Sequence, residues 1–190
     1  EQIAVAGRDL HIPGRAVATD TTELHFHQVV DRRLGQVNRG HAVHKVNLIP
    51  AKLRPAALSV VLGRIVPFVG TAGLVIEELG ESRAVVAIAN RRKVQNHIGS
   101  VHAAAMTLIA ETASGFVVGM NVPDDKVPVV KTIGMEFKKR AKGALRAVAT
   151  LTEDDRARMR DEPKGDVNVL VSLTDEEGKE PLVATMVWAW

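Results

Sequence analysis

The sequence predicts an α+β fold, in which a largely antiparallel sheet packs around one buried helix. The chain has 190 residues, of which 46% are hydrophobic and 25% are charged, so it can form the core of one domain but not of two. A long segment in the middle carries a single charge, as a buried helix does. Strand-like segments joined by short turns lie on either side of it, and strands joined in this way pair antiparallel.

Composition and charge exclude several classes of function. Lys and Arg number 25 against 22 Asp and Glu, so the formal charge is only +3, although the pI is about 9.4. Aromatic residues make up 3% of the chain and provide few side chains on which the bases of a nucleic acid could stack. The absence of Cys excludes disulfides and Cys nucleophiles and fits a cytoplasmic protein. No run approaches the ~18–20 apolar residues of a membrane span, and residues 1–9 lack the features of a signal peptide. We therefore expect neither a nucleic-acid nor a membrane partner.

Residues 1–50 differ from the rest of the chain, and we interpret them as an N-terminal arm laid against the main domain or a partner. They contain five of the seven histidines and little periodicity. His25 and His27 would share one face of a strand, and His41 and His44 are about one helical turn apart, as metal ligands can be. No acidic or Cys ligand stands at a recognised spacing, so we expect no metal site. The main domain is assigned to residues 51–190.

A helix and a hairpin open the main domain. Pro55 suits a first helical turn, and apolar residues recur at helical spacing from Leu58 to Ile65 until Pro67 ends the pattern. Residues 73–79 and 84–89 are strand-like and are joined by a short polar turn, which predicts a hairpin.

The most informative segment lies between Lys93 and Asp124, where Glu111 is the only Asp, Glu, Lys or Arg. Residues 100–115 are rich in helix formers and too apolar to lie on a surface. Their many Ala, Ser and Gly residues suit a helix packed closely against other backbone. Gly99 and Ser100 mark the predicted start of this helix.

Four more strand candidates follow the helix. They cover residues 129–138, 144–151, 166–173 and 182–190, with a polar, charged stretch at 152–164. Trp188 and Trp190 fall on one face of the last strand, and we expect them to pack against the core or a subunit contact. One long sheet around one apolar helix leaves its edges and outer face in need of cover. We therefore expect a homodimer or a dimer of dimers, that is, a homotetramer.

Glu111 is the first candidate for chemistry. Burial of a carboxylate raises its pKa, so such a group persists either because a buried partner stabilises it or because it acts in catalysis. Asn96, His97 and His102 lie just upstream. A helix that begins there would present free backbone N–H groups to an oxygen that gains negative charge.

The spacing of these residues resembles a known family. Asn96 lies six residues before His102, and Glu111 lies nine after it. This is similar to the motif of hotdog-fold thioesterases of the phenylacetate-pathway type, where an Asn, a His-Gly pair and an Asp or Glu on the central helix follow in this order. The order of elements from Leu53 to Trp190 is similar too, and a related branch of unassigned function carries a like Asn-His-x-Gly-x-x-His segment. The resemblance implies the hotdog fold.

The resemblance also implies roles for individual residues. Glu111 serves as general base or nucleophile on an acyl-thioester, and no cofactor is needed. Asn96 orients the water or the substrate, and the Ala103 backbone N–H, at the helix start after His102, polarises the thioester carbonyl. Two departures stand out: the chain has His102-Ala103-Ala104 where the family has His-Gly-Gly, and Glu where Asp is more common.

Other residues complete the expected substrate site. His97 and Gly99 precede the helix, and Thr132 could reach the site from a neighbouring strand. The clusters Lys138-Lys139-Arg140 and Arg91-Arg92-Lys93 could attract the phosphates of coenzyme A. Ordinary solvated strand ends are the alternative interpretation of these clusters.

Three functions remain open on the sequence. The first is an acyl-CoA thioesterase-like hydrolase, and the second is a non-catalytic protein that binds acyl-thioesters, in which Glu111 only forms hydrogen bonds. The third is a hydroxyacyl-thioester dehydratase. His97 stands fourteen residues before Glu111, which is similar to acyl-carrier-protein dehydratases of the hotdog fold, but their Pro-rich loop and Pro-Gly helix entry are absent. Neither the acyl chain nor the carrier, coenzyme A or acyl carrier protein, follows from the sequence.

Overall fold

The structure of the protein is a computed structural model, which describes residues 54–190. The predicted arm, residues 1–50, and its histidine pairs lie outside the described residues. The elements follow one another as α1 (Arg54–Ile65), α2 (Pro67–Ala72), β1 (Val75–Leu79), β2 (Arg83–Ile88), a 3₁₀ helix (Arg92–Val94), α3 (Ala103–Gly119), β3 (Val129–Phe137), β4 (Leu145–Thr150), α4 (Glu153–Asp161), β5 (Asp166–Asp175) and β6 (Leu182–Ala189). The predicted buried helix and the six predicted strands are all present, each within a few residues of its expected bounds.

Pro67 ends one helix and begins another. The apolar helical pattern stops where predicted, because α1 ends at Ile65. The sequence pattern does not predict α2, in which Pro67 occupies the first turn, where a missing N–H costs no hydrogen bond. The two helices cross closely at a pair of glycines: a Cβ on Gly70 would lie 2.5 Å from the carbonyl oxygen of Gly63.

The six strands form one antiparallel sheet in the order β1-β2-β4-β5-β6-β3. The strands β4, β5 and β6 follow one another as a meander, as their short connections predict. The chain leaves β2 through α3 and enters β3 at the far edge of the sheet. Among the described residues β3 pairs only with β6, so the backbone groups along its outer edge have no strand partner there.

Helix α3 lies across the inner face of the sheet and fills the core. It packs most closely against β2 and β4, less closely against β5 and β6, and only slightly against β3. Nine of its 17 residues are buried, as predicted. Trp188 of β6 is also buried, and its ring lies against Gly115 while its Nε1–H donates to Ser114 Oγ at 3.0 Å. Although α3 is apolar, no helix among the described residues is both long and apolar enough to cross a membrane.

A short helix, α4, interrupts the polar stretch before β5, where no element is predicted. A capping box begins it: Thr152 Oγ1 accepts the Asp155 N–H at 3.1 Å, and the Asp155 carboxylate accepts the Thr152 N–H at 3.3 Å. Arg156 Nε donates to Asn121 Oδ1 at 3.1 Å, and Asn121 Nδ2 donates to the Val117 carbonyl at 2.8 Å. These bonds fasten α4 to the end of α3.

Gly115→Ala should destabilise the fold, because the added Cβ would lie 2.8 Å from the ring of Trp188. Overpacking of this kind costs about 1–3 kcal/mol, which urea unfolding would measure. Gly119→Ala is the matched control on the same helix, since a Cβ there meets nothing within 4 Å. Its stability should be equal to wild type or higher by up to about 1 kcal/mol, the helix preference of Ala over Gly. Equal stabilities of the two variants would contradict the close contact between α3 and Trp188.

Candidate active site

The histidine that precedes α3 caps its N-terminus. His102 has an extended backbone (φ −65°, ψ 144°), and its Nδ1 accepts a hydrogen bond from the Ala104 N–H at 3.0 Å. Because Nδ1 accepts, the neutral ring carries its proton on Nε2. The Ala105 and Met106 N–H groups donate to the His102 carbonyl at 2.9 and 3.0 Å. In this first turn the Ala103 N–H therefore has no acceptor among the described residues.

The segment before α3 is a closed turn, so the helix begins at Ala103, after His102 as the resemblance implies, and not at Gly99 and Ser100. Asn96 Oδ1 accepts the N–H groups of Ile98 and Ser100, each at 3.1 Å, and the Asn96 N–H donates to the Ser100 carbonyl at 2.8 Å. Gly99 adopts the left-handed conformation that the turn needs (φ 73°). These bonds hold Ser100 outside the helix. They also occupy Asn96 Oδ1, so Nδ2 is the atom of that side chain left for a ligand.

Two side chains from outside this turn hold it in place. Arg140, in the loop after β3, donates from Nε to Ser100 Oγ at 2.9 Å and from Nη2 to the Ile98 carbonyl at 2.6 Å. Asn90, after β2, donates from Nδ2 to the Gly99 carbonyl at 3.0 Å. The ends of two strands therefore fix the entry to α3.

Glu111 lies in the third turn of α3, half-buried among apolar neighbours. Burial raises the pKa of its carboxyl above the ordinary value, and the adjacent Thr112 hydroxyl partly offsets the rise. Thr112 Oγ1 is itself buried and forms no hydrogen bond of ordinary geometry with any described residue. No cation among the described residues contributes to the pKa of Glu111. The carboxylate is thus partly removed from water and, within residues 54–190, has no cationic partner, as suits a general base or a nucleophile.

Glu111 and the Ala103 amide lie at different heights on the same helix. Glu111 follows Ala103 by eight residues, a distance of about 12 Å along the helix axis. A glutamate side chain leans toward the helix N-terminus, but it does not span that distance to a carbonyl held within ~3 Å of the amide. One copy of α3 therefore cannot present both groups to one thioester.

The register of β3 places Thr132 on the face of the sheet that points away from α3. A β-bulge lies between Val130 and Thr132 and shifts the alternation of side chains. Val130 pairs with the buried Trp188 on the inner face, whereas Thr132 pairs with Val187 on the face that points away from α3. A regular strand would have placed Thr132 on the inner face.

The structure brings most of the remaining predicted residues to the N-terminal end of α3. His97 and Gly99 are exposed in the closed turn, and Arg140 binds that turn directly. Lys138 and Lys139 are exposed, and their ammonium groups form no hydrogen bond or ion pair with any described residue. Glu111 stands apart from this group, farther along the helix.

Sequence reasoning missed the contributions of Asn90 and Ser100. Ser100 is buried, and Asn90 Oδ1 is buried without a hydrogen-bond partner among the described residues. Asn90 stands between an apolar strand and the basic cluster. This position indicates the end of a strand, but it does not indicate which group the Asn90 side chain binds. Within residues 54–190, no three His, Asp or Glu side chains are placed to hold a metal ion.

Residues 54–190 match the protein-family model described as Domain of unknown function (DUF4442). No curated protein matches the chain in sequence.

Several solved structures resemble the chain in fold. A Pseudomonas aeruginosa protein described as a probable thioesterase is 24% identical with a TM-score of 0.62, over 74% of this chain and 95% of that one. A thioesterase of Haemophilus influenzae is 17% identical with a TM-score of 0.53, over 64% and 80%. A variant of a thioesterase of Staphylococcus aureus is 17% identical with a TM-score of 0.55, over 65% and 97%. These likenesses show the hotdog fold, as predicted.

Glu111→Gln should stabilise the protein at neutral pH. Because burial raises the pKa of Glu111 in the folded state, the unfolded chain loses this proton at a lower pH than the folded protein does. Ionisation therefore favours unfolding as the pH rises through the folded-state pKa, and it favours neither state below about pH 4. Thermal unfolding should show a higher melting temperature for the variant at pH 7.5 and little difference at pH 4.

Glu180→Gln, which changes an exposed carboxylate, is the control for Glu111→Gln and should leave both melting temperatures unchanged. A loss of stability in Glu111→Gln at pH 7.5 would show instead that a structural partner holds the ionised carboxylate.

Proposed function

This chain belongs to the DUF4442 family, and we propose that it hydrolyses acyl-thioesters with Glu111 as the base or the nucleophile. The observation that carries the proposal is a half-buried carboxylate with a raised pKa, in the middle of an apolar helix and with no cation beside it among the described residues. Burial of such a group destabilises the folded state, so a role in chemistry accounts for its presence. The thioesterases among the similar solved structures support the same reaction class.

The proposed reaction needs a base and an oxyanion donor. Glu111 takes a proton from water, the water oxygen attacks the carbonyl carbon, and the C–S bond breaks. The proton held by Glu111 passes to the leaving sulfur, so that the thiol and the acid are released. In the alternative route the Glu111 carboxylate attacks the carbonyl carbon, the C–S bond breaks and the thiolate leaves with a proton from solvent, and water then hydrolyses the mixed anhydride to the acid and free Glu111. The Ala103 N–H, which has no acceptor among the described residues, stabilises the negative charge on the carbonyl oxygen. Asn96 Nδ2 is available to orient the water or the thioester.

The separation of Glu111 from Ala103 supports a site that is shared between two copies of the chain. Because about 12 Å of helix divides them, we propose that each site combines Glu111 of one protomer with the Ala103 amide of its partner. The protein is then a homodimer, or a dimer of dimers, with two sites in each dimer. A dimer related by a two-fold axis generates both sites from one contact.

The edge strand β3 is the surface we propose for this contact. Its inner face carries apolar side chains that α3 does not cover, although their partners on β6 are buried. The exposed fractions are 38% for Val130, 44% for Ile133 and 51% for Phe137. An apolar strip beside unpaired backbone groups is what a second copy of the same strand covers.

We place the thiol carrier near the loop after β3. Lys138 and Lys139 are exposed and their ammonium groups bind no described residue, so their charges are available to the phosphates of coenzyme A. The cluster Arg91-Arg92-Lys93 lies beside the same turn before α3. An acyl carrier protein, which presents a phosphopantetheine group, is the other carrier of this chemistry.

One observation favours a second function, the binding of acyl-thioesters without hydrolysis. Asn96 Oδ1 is occupied by the turn, and Ala replaces both glycines of the His-Gly-Gly segment, so the carbonyl site is less open than the resemblance implies. Glu111 would then serve as a hydrogen-bonding group for the bound ligand. His97 is exposed in the turn before the helix, and no further observation supports dehydration.

Glu111→Ala should lower the rate of thiol release from acyl-CoA by about 10²–10⁴-fold, the usual contribution of a general base. The measurement is thiol release from short, long and aromatic acyl-CoAs, with wild type beside the variant. Because the pKa of Glu111 is raised, the wild-type rate should fall as the pH drops through that pKa. Full activity in a folded Glu111→Ala variant would remove the catalytic role, and no turnover by wild type would favour the binding protein.

Mixed dimers test whether the two groups come from different protomers. Ala103→Pro removes the oxyanion N–H, and the fold should accept it, because Pro suits a first helical position and His102 already has the extended conformation required before Pro. Ala103→Pro and Glu111→Gln should each be nearly inactive. Coexpressed in equal amounts, they should regain about a quarter of wild-type activity, because half of the dimers then hold one intact site.

Ala103→Gly, which keeps the N–H, is the control for Ala103→Pro. No recovery in the mixture, or a single-chain mass by light scattering across a wide concentration range, would contradict the shared site.

A further inference from the structure

We propose that Arg140 is a positioning residue of the thioester site, whose guanidinium holds the turn before α3 and does not bind a substrate phosphate. The inference rests on the proposed hydrolysis. It changes the role predicted from charge alone, because the sequence groups Arg140 with Lys138 and Lys139. The structure separates it from them by its contacts.

The contacts of Arg140 are specific in geometry. Its Nε donates to Ser100 Oγ at 2.9 Å and its Nη2 donates to the Ile98 carbonyl at 2.6 Å. The two acceptors lie 40 and 42 residues away in the chain, so the bonds join the loop after β3 to the turn before α3. Ser100 is buried, with 5% of its surface exposed. A planar guanidinium can hold two acceptors at once, which an ammonium group cannot do in this way.

The turn that Arg140 holds determines where the oxyanion donor lies. Ser100 also donates its N–H to Asn96 Oδ1 at 3.1 Å, and His102, two residues on, donates its N–H to the Val94 carbonyl at 2.8 Å. The next N–H along the chain is that of Ala103. A donor must lie about 2.7–3.1 Å from the developing oxyanion, so a small shift of the turn displaces it. Arg140 therefore acts on the reaction through the turn.

The neighbouring lysines provide the contrast. Lys138 and Lys139 lie in the same loop, and their ammonium groups bind no described residue. Attraction of phosphates is accordingly assigned to them. Loss of Arg140 should therefore affect every thioester alike, whereas loss of Lys139 should affect only thioesters that carry phosphates.

The experiment compares one acyl group on two thiols, coenzyme A and N-acetylcysteamine, which has no phosphate. Arg140→Gln should lower kcat by up to about 10²-fold on both thioesters with little change in KM, the size of effect that a misplaced catalytic group produces. Arg140→Lys should not restore kcat, because it keeps the charge but not the two-point contact. Ser100→Ala should lower kcat in the same direction while the charge of Arg140 is unchanged. Lys139→Gln, the matched control, should raise KM for the coenzyme A thioester alone.

A phosphate ligand would give the opposite pattern. Arg140→Gln would then raise KM only for the coenzyme A thioester, Arg140→Lys would restore it, and Ser100→Ala would have no effect. That result would overturn the proposal.

Hydrogen exchange gives a readout that does not need activity. Amides of residues 96–103 should exchange faster in Arg140→Gln and in Ser100→Ala than in wild type, and at the wild-type rate in Lys139→Gln. If wild type hydrolyses no thioester, the proposed function fails, and exchange alone then decides whether Arg140 holds the turn. If the amides of residues 96–103 exchange at the wild-type rate in Arg140→Gln, Arg140 does not hold the turn, and the proposal is overturned.

Discussion

The close packing of α3 on the inner face of the sheet is the contact on which the site depends. Small residues on the helix permit it: Gly115 leaves room for the ring of Trp188, and Ser114 accepts the Trp188 Nε1–H. Because the helix is enclosed in this way, a carboxylate on it is partly removed from water, and its pKa rises. The desolvation of Glu111 is therefore a consequence of packing over the whole helix.

The same helix is too narrow to cover the whole sheet. It packs only slightly against β3, whose inner face keeps Val130, Ile133 and Phe137 exposed and whose outer edge has no strand partner among the described residues. The helix also holds Glu111 and the Ala103 amide, the two groups of the proposed reaction, about 12 Å apart. A single chain therefore leaves part of the sheet uncovered and keeps these two groups apart. In the proposed dimer, the second copy would cover β3 and bring its own Ala103 amide close to Glu111.

The entry to α3 shows how hydrogen bonds from distant parts of the chain shape a reactive end. His102 caps the helix locally, whereas Arg140 and Asn90 hold the preceding turn from the ends of β3 and β2. The N–H groups of Ala104, Ala105 and Met106 have acceptors, whereas the Ala103 N–H has none among the described residues. An amide held in this way needs no rearrangement to donate a hydrogen bond to an oxygen that gains negative charge.

The local sequence by itself predicted the central helix, the six strands and the burial of the carboxylate at position 111. Absence of charge and alternation of apolar residues are properties of neighbouring residues, so they can be read without the fold. The local sequence did not determine α2, since Pro67 both stops and starts a helix, or α4, whose capping box lies in a stretch with little apolar pattern. The face on which Thr132 lies and the partners of Arg140 were decided only by the tertiary structure. The first depends on a bulge in the pairing of β3 with β6, and the second on acceptors 40 and 42 residues away. Register and long-range hydrogen bonds depend on which segments meet, and no local pattern carries that information.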